Sequence, residues 1–295
     1  MITVPEMVSQ VKSGNFRDLA RALTMVENEL AGSTALLKSL KRSDTPIIGI
    51  TGPPGAGKST LVNVMINAWS QKGKSVAVLA VDPTSPFNLG SLLGDRIRMA
   101  EQFTKENVFI RSIATRGSLG GLSGKTIEMT DVLQAAGFDY ILVETVGVGQ
   151  SEVEVAGLAD LSIVVLVPES GDEIQNIKSG LMEIADIFVV NKSDRDGADT
   201  FANNLKNIVH QKPVNIPVLK TSANRGEGIS ELIDAIEAHP YSTNSRKPLL
   251  LAEKAWKLLQ QAKVKNIDKA KFQKDIDLMS KNTDFNLYSF VESLI

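Results

Sequence analysis

The chain has 295 residues, of which 43% are hydrophobic and none is cysteine, and its formal net charge is -2. This composition excludes disulfide scaffolds, iron–sulfur clusters, thiolate zinc sites and cysteine nucleophiles. The two histidines are too few for a three-histidine metal site, and the near-neutral charge gives no field that attracts nucleic acid or acidic lipid. No membrane span, secretory signal or transit peptide is evident. We therefore expect a cytoplasmic protein without nucleic-acid or membrane partners.

Residues 1–42 are predicted to form an N-terminal helical extension. Leu19, Leu23 and Val26 recur at helical spacing in the stretch that begins at Phe16. Glycines interrupt the pattern, as they commonly do at helix ends. The apolar positions predict one buried face for these helices.

From residue 43 to residue 240, short runs rich in valine and isoleucine alternate with helix-length segments. Strands that are buried on both faces have this composition, and strand–helix alternation is typical of a parallel sheet with helices on both faces. The predicted strands are 46–51, 75–82, 108–113, 140–145, 161–168, 187–191 and 216–221. The fold class is therefore α/β, with a mainly parallel sheet flanked by helices and a helical extension at each end.

Residues 241–295 contain no strand-like run and are predicted to be a C-terminal helical segment. Between Arg246 and Lys274 there are nine lysines and arginines against two acidic residues. A helical appendage with a solvated basic face is the simpler interpretation. The alternative is a docking surface for an acidic partner or a partner subunit.

A complete phosphate-loop motif follows the first predicted strand. Gly55 and Gly57 let backbone N–H groups face an anion, and the helix that follows adds partial positive charge at its N-terminus. Lys58 is a mobile cation for the β- and γ-phosphates of a nucleotide, and Ser59 offers a hydroxyl to Mg²⁺. The predicted phosphate-binding residues are Gly52, Pro53, Pro54, Gly55, Ala56, Gly57, Lys58, Ser59 and Thr60.

An N-K-x-D motif follows a later apolar run and indicates guanine recognition. The Asp194 carboxylate can accept from guanine N1–H and N2–H₂ together, whereas adenine would leave it unpaired. The predicted guanine-binding residues are Asn191, Lys192, Asp194, Ser222 and Ala223. Lys192 can lie along the purine face, and the loop at Ser222 and Ala223 suits a backbone N–H that meets guanine O6. The predicted ligand is therefore GTP or GDP.

Three carboxylates are candidates for the chemistry at the phosphates. Asp82 and Glu144 end predicted strands, and Asp95 lies thirteen residues beyond Asp82. In open α/β sheets ligands bind at the carboxyl ends of the strands, where nucleotide hydrolases place acidic residues that hold Mg²⁺. The predicted metal residues are Ser59, Asp82, Asp95 and Glu144, and the predicted catalytic residues are Lys58, Asp82 and Glu144. Gly147 is a candidate for contact with the γ-phosphate.

Together these motifs resemble the MeaB/ArgK-type family of mutase-associated P-loop GTPases. The resemblance runs from about Ala20 to Pro240 and is most specific in the Glu-Thr-Val-Gly-Val-Gly-Gln-Ser-Glu stretch at 144–152. It implies a P-loop GTPase fold, Mg²⁺-dependent hydrolysis of GTP, a homodimer formed by the C-terminal helices, and a role as chaperone for an adenosylcobalamin-dependent methylmalonyl-CoA mutase. It also implies a third switch that responds to the mutase, with Gly171, Asp172, Glu173, Gln175 and Lys178.

Three other functions remain open at this point. A GTPase that inserts metal into another metalloenzyme would need cysteine or histidine ligands near its switches. A kinase linked to amino-acid transport would need a phosphoryl acceptor, for which no candidate residue is apparent. A GTP-dependent scaffold would need the nucleotide site but no hydrolysis.

Overall fold

The structure is a computed structural model that describes most of the first 241 residues and part of the C-terminal region. The described residues are 3–41, 43–82, 99–114, 124–145, 151–169, 181–210, 216–241, 248, 252, 255–256, 258–260, 263, 269–279 and 290. The chain divides into two compact units, Met1–Lys247 and Pro248–Ile295.

Seven parallel strands form the sheet of the first unit. The strands are β1 (Ile47–Thr51), β2 (Val76–Asp82), β3 (Val108–Ala114), β4 (Tyr140–Glu144), β5 (Leu161–Leu166), β6 (Ile187–Val190) and β7 (Val218–Lys220). Their spatial order is β3-β2-β4-β1-β5-β6-β7. Since β1 lies between β4 and β5, the segments that follow these three strands meet at one edge of the sheet. This arrangement confirms the predicted α/β fold with a parallel sheet.

Helices accompany the strands on both faces of the sheet. They are α1 (Val4–Lys12), α2 (Phe16–Glu27), α3 (Ser33–Ser39), α4 (Lys58–Gln71), α5 (Gly124–Ala135), α6 (Ser151–Leu158), α7 (Leu181–Ile184), α8 (Ala198–Val209) and α9 (Ile229–Glu237). A 3-10 helix spans Ala100–Thr104. In the second unit α10 spans Lys269–Met279. No helix within the described part of the chain is long and apolar enough to cross a membrane.

The strands bury their two faces in separate hydrophobic clusters because successive side chains point to opposite sides of a sheet. Ile48 and Ile50 of β1 pack in a cluster with Met65 and Trp69 of α4. Ile47, one residue before, packs on the other side with residues of the N-terminal helices. The phosphate-loop helix is therefore fixed to one face of the sheet by a continuous apolar core.

The three N-terminal helices cover part of the opposite face. Leu19, Leu23 and Val26 of α2 are fully buried and belong to the same cluster as Leu79 of β2. Arg111 of β3 adds a 2.6 Å ion pair to Glu27 at the end of α2. The helical spacing seen in the sequence thus corresponds to a face that packs on the sheet.

Three aspartates make the same kind of hydrogen bond at the amino edge of the sheet. Asp139, Asp160 and Asp186 each directly precede a strand, β4, β5 and β6 respectively. Each side chain accepts a backbone N–H from the start of the neighbouring strand region, at Ser75 (2.8 Å), Ile47 (2.9 Å) and Ser162 (2.8 Å). Because a buried backbone N–H without a partner is costly, these carboxylates stabilise strand ends that the ladder leaves open.

Candidate nucleotide-binding site

The phosphate loop lies between β1 and α4 and depends on two glycines. Gly52 has φ +141°, and a Cβ there would lie 2.0 Å from the carbonyl oxygen of Val165. Gly57 precedes α4 with φ +84°, and its added Cβ would lie 2.5 Å from Asn191 Nδ2. Only glycine fits these two backbone conformations and close contacts. The loop therefore packs tightly against β5 and against the N-K-x-D loop.

Lys58 is buried at the first position of α4, and its ammonium group is held by the loop itself. Nζ donates to the carbonyl oxygens of Gly52 at 2.9 Å and Pro53 at 3.0 Å. The cation therefore lies over the loop, where the β- and γ-phosphates of a nucleotide bind in P-loop proteins.

Ser59 and Glu144 form a short polar contact at the carboxyl edge of the sheet. Ser59 Oγ donates to Glu144 Oε1 at 2.6 Å, and both side chains are buried. Behind them Thr145 Oγ1 donates to Thr51 Oγ1 at 3.0 Å and joins the ends of β4 and β1. The structure thus brings together a hydroxyl and a carboxylate that lie 85 residues apart in the chain.

Asn191 joins the base-binding region to the phosphate loop. Its Nδ2 donates to the Ala56 carbonyl at 2.9 Å, and its Oδ1 accepts from Thr221 Oγ1 at 3.1 Å and from Ala223 N at 3.2 Å. Lys192 adds a 2.7 Å hydrogen bond from Nζ to the Gly55 carbonyl. Lys192 has φ +56°, in the left-handed region that residues other than glycine seldom adopt. Such strain is typical of functional sites.

Neighbouring side chains orient the Asp194 carboxylate and keep it ionised. Ser222 Oγ donates to Asp194 Oδ1 at 2.8 Å, and Arg225 Nη2 lies 3.5 Å from Oδ2. The hydrogen bond from Ser222, aided by backbone hydrogen bonding and by the charges of Arg225 and Arg195, holds the pKa of Asp194 below its usual value. A carboxylate that stays charged is the acceptor that guanine N1–H and N2–H₂ require.

A small recess, open to solvent, lies beside this carboxylate. It is lined by residues of three loops and of the first turn of α4, namely Gly57, Thr60, Asn191, Lys192, Asp194, Ser222, Ala223 and Asn224. Two of the predicted phosphate-binding residues, Gly57 and Thr60, therefore border the same recess as the five predicted guanine-binding residues. Its position at the carboxyl ends of β1 and β6 is where open α/β sheets bind ligands.

Several predicted residues lie outside the described part of the structure. Asp82 is the last residue of β2, two positions beyond Ala80, which pairs with Glu144, and its side chain is not described. The others are Asp95, Gly147, Gly171, Asp172, Glu173, Gln175 and Lys178. Their roles stay predictions.

Sequence reasoning missed the charged residues around Asp194. Arg225 approaches the carboxylate from a turn three residues after Ser222. Arg195, which directly follows Asp194, donates a hydrogen bond to Glu169 beyond the end of β5. Surface arginines carry no pattern that points to a partner, so only the folded loops reveal these contacts.

A phosphate loop joined to an N-K-x-D loop on a parallel α/β sheet defines a P-loop GTPase that binds guanine nucleotides. The sequence matches the family described as "Methylmalonyl Co-A mutase-associated GTPase MeaB" over residues 19–270. The chain belongs to this family, which confirms the resemblance seen in the motifs.

Known proteins are similar to most of the chain in sequence or in fold. A Pyrococcus horikoshii protein described as a GTPase is 47% identical over 251 residues, covering 81% of this chain and 78% of its own. GTPase ArgK of Escherichia coli is 35% identical and covers 97% of this chain and 89% of its own. The crystal structure of an LAO/AO transport system kinase superposes with a TM-score of 0.68 at 29% identity, covering 99% of this chain and 96% of that one.

Proposed function

We propose that this GTPase is the chaperone of an adenosylcobalamin-dependent acyl-CoA mutase of the methylmalonyl-CoA mutase type. The observation that carries the proposal is the match to a mutase-associated GTPase family over residues 19–270. Hydrolysis of GTP would gate loading or protection of the mutase cofactor, because the GTP and GDP states of the switch loops differ in their affinity for the mutase. In this proposal the protein acts in the cytoplasm as a homodimer.

The donor set at the phosphate loop supports a requirement for Mg²⁺. Ser59 and Glu144 place two oxygen donors 2.6 Å apart, and Mg²⁺ prefers hydroxyl, carboxylate and water oxygens. Ser59 and Glu144 would hold the ion, directly or through water, with Asp82 and Asp95 completing the set. When bound, Mg²⁺ neutralises charge on the phosphate oxygens.

The chain's own residues would bind and orient the triphosphate. Lys58, which reaches the Gly52 and Pro53 carbonyls, would transfer its hydrogen bonds to the β- and γ-phosphates. The backbone N–H of Gly147 would meet the γ-phosphate, and Asp82 and Glu144 would orient the attacking water. Because phosphoryl transfer depends mainly on positioning and charge stabilisation, this set is sufficient for slow hydrolysis that a partner accelerates.

The mutase role is tested by partner capture and by turnover. The purified protein, loaded with a non-hydrolysable GTP analogue or with GDP, is incubated with purified adenosylcobalamin-dependent acyl-CoA mutases. We expect retention of one mutase to depend on the nucleotide, and we expect that mutase to accelerate GTP hydrolysis. The Lys58→Ala variant, which lacks the phosphate-binding cation, should lose the dependence on nucleotide. Unchanged turnover and nucleotide-independent retention across these mutases would contradict the proposal.

A transport-linked kinase is a second candidate because the superposed crystal structure is described as a transport system kinase. A kinase transfers the γ-phosphate to an acceptor, whereas a GTPase releases it to water. Incubation with γ-labelled GTP separates the two reactions. We expect the label in inorganic phosphate, and label on a protein acceptor would favour the kinase. A metal-insertion role finds less support, since the chain has no cysteine and only two histidines.

A further inference from the structure

An exposed ion pair lies directly beside the N-K-x-D motif, the predicted guanine-binding loop. Arg195 Nη1 donates to Glu169 Oε1, and the two side chains are about half exposed. Arg195 directly follows Asp194, and Glu169 lies three residues beyond the end of β5. The hydrogen bond from Arg195 lowers the pKa of Glu169, so the pair is fully charged at neutral pH. Arg195 and Arg225 therefore both lie near Asp194, and Arg195 is hydrogen-bonded to the carboxylate of Glu169.

Asp194 can accept only a limited number of hydrogen bonds, so the position of Arg195 affects whether guanine can bind. An ionised carboxylate has about four acceptor positions. Ser222 occupies one on Oδ1 at 2.8 Å, and Arg225 approaches Oδ2 at 3.5 Å. A backbone hydrogen bond occupies part of the remaining capacity. Few positions are therefore left, and N1–H and N2–H₂ of guanine need two acceptor positions. A further guanidinium on this carboxylate would take the positions that the base requires.

Arg195 is well placed to do this if nothing else holds it. Its side chain is attached next to Asp194, and a planar guanidinium binds a carboxylate through two parallel hydrogen bonds. We propose that Glu169 is a positioning residue for guanine recognition: by binding Arg195, it keeps this cation from closing onto Asp194. This rests on the assignment of Asp194 as the guanine acceptor.

The proposal predicts an unusual pattern in a double-mutant experiment. The dissociation constant of fluorescently labelled GDP is measured for the full chain and for Glu169→Gln, Arg195→Gln and the double variant. Glu169→Gln should weaken binding about two- to fivefold, the scale of exposed ion pairs. Arg195→Gln should bind at least as tightly as the wild type, because the competing cation is gone. The double variant should therefore recover the affinity that Glu169→Gln alone loses.

A matched control comes from a second exposed ion pair. Asp199 accepts from Lys220 at 2.5 Å and lies on α8, outside the recess. Asp199→Asn removes one acidic charge as Glu169→Gln does, and it should leave GDP binding unchanged. Thermal melting of every variant separates lost affinity from lost folding.

Three results would overturn the proposal. One is a Glu169→Gln variant that binds GDP as well as the wild type does. Another is a double variant as weak as Glu169→Gln, since Glu169 would then act without Arg195. The third is an Arg195→Gln variant as weak as Glu169→Gln, since Arg195 would then aid binding. Equal affinity of the wild type for GDP and ADP would instead show that the base assignment itself is wrong, and this proposal would fail with it.

Discussion

Asn191 Nδ2 lies 2.9 Å from the Ala56 carbonyl oxygen, so the loop that reads the base is hydrogen-bonded to the loop that holds the phosphates. The same buried amide accepts hydrogen bonds from Thr221 and Ala223. One side chain therefore connects three loops that follow β1, β6 and β7. Such connections set the distance between base and phosphate subsites before a nucleotide arrives, which lowers the cost of ordering them on binding.

Gly57 tests this connection because any side chain there would strike Asn191. An added Cβ would lie 2.5 Å from Asn191 Nδ2, and the backbone has φ +84°. We expect Gly57→Ala to weaken GDP binding about tenfold or more, since losing a buried hydrogen bond costs about 1–3 kcal/mol. Titration with labelled GDP measures the effect.

Gly197 provides the control for backbone strain alone. It precedes α8 with φ +81°, and its added Cβ would meet nothing within 4 Å. Gly197→Ala should reduce the free energy of unfolding by about 1–2 kcal/mol through the left-handed backbone, as Gly57→Ala also should. GDP affinity should fall in Gly57→Ala alone. Equal loss of affinity in both variants would show that strain, not the Asn191 contact, is responsible.

The contact between Ser59 and Glu144 predicts the metal dependence of hydrolysis. Removing the Ser59 hydroxyl or the Glu144 charge should raise the Mg²⁺ concentration needed for half-maximal GTP hydrolysis by about tenfold, the scale of a hydrogen bond to a charged group. Ser59→Ala and Glu144→Gln are each assayed across a Mg²⁺ titration.

Ser70 is the control because it lies on the same helix but donates to Asn107, away from the phosphate loop. Ser70→Ala should leave the Mg²⁺ requirement unchanged. If Ser59→Ala and Glu144→Gln keep the wild-type requirement, the metal lies elsewhere and the assignment of these ligands is wrong.

The sequence predicted the strands well because their burial leaves a simple composition. The observed β2, Val76–Asp82, begins one residue after the predicted 75–82, and β3 extends the predicted 108–113 by one residue. The strand predicted at 216–221 is shorter, Val218–Lys220, and it begins directly after Pro217, which has no N–H to donate to a neighbouring strand. Local pattern therefore determines where strands occur, and individual residues adjust their ends.

Contacts across the sheet were beyond sequence reasoning for a physical reason. Asp139 accepts from Ser75, 64 residues earlier, only because β2 and β4 are neighbours in a particular register. The pairing of Ser59 with Glu144 was more predictable, since both belong to motifs that share one ligand. Motifs thus indicate sites, whereas strand order determines the supporting contacts.

Asp139 gives a prediction on stability and pH. Burial raises the pKa of this carboxyl, but hydrogen bonds from Ser75 and the ion pair with Lys74 outweigh it and lower the pKa below its usual value. A lowered folded-state pKa contributes stability above the unfolded-state value, and this contribution disappears as pH falls through the folded-state value. Asp139→Asn should therefore be less stable than the wild type near neutral pH, with a difference that shrinks below about pH 4.

Urea unfolding of both proteins from pH 7 downward measures this difference. Asp234→Asn is the control, because its exposed carboxyl lies on helix α9 rather than at a position directly before a strand. A difference between Asp139→Asn and wild type that stays constant down to the acid limit would mean that the charge of Asp139 is irrelevant.

Exposed apolar side chains in the C-terminal unit predict the assembly state. Trp256 is 61% exposed and Leu278 is 73% exposed, although both are large and apolar. Contact with a second copy would bury them, so Trp256→Asp and Leu278→Asp should convert a dimer to monomer. Light scattering after size-exclusion chromatography measures the mass. Phe103→Asp, at a side chain 49% exposed in the other unit, should leave the mass unchanged. A wild-type monomer would contradict the proposed homodimer.

The ion pair between Glu169 and Arg195 has a consequence for nucleotide exchange. Coupling between two binding events is reciprocal. A protein that binds Glu169 and releases Arg195 would therefore lower the affinity for GDP, and GDP would lower the affinity for that protein by the same factor. Such a protein would act as an exchange factor without touching the nucleotide. The site that recognises guanine would then also report which partner is bound, through one surface carboxylate.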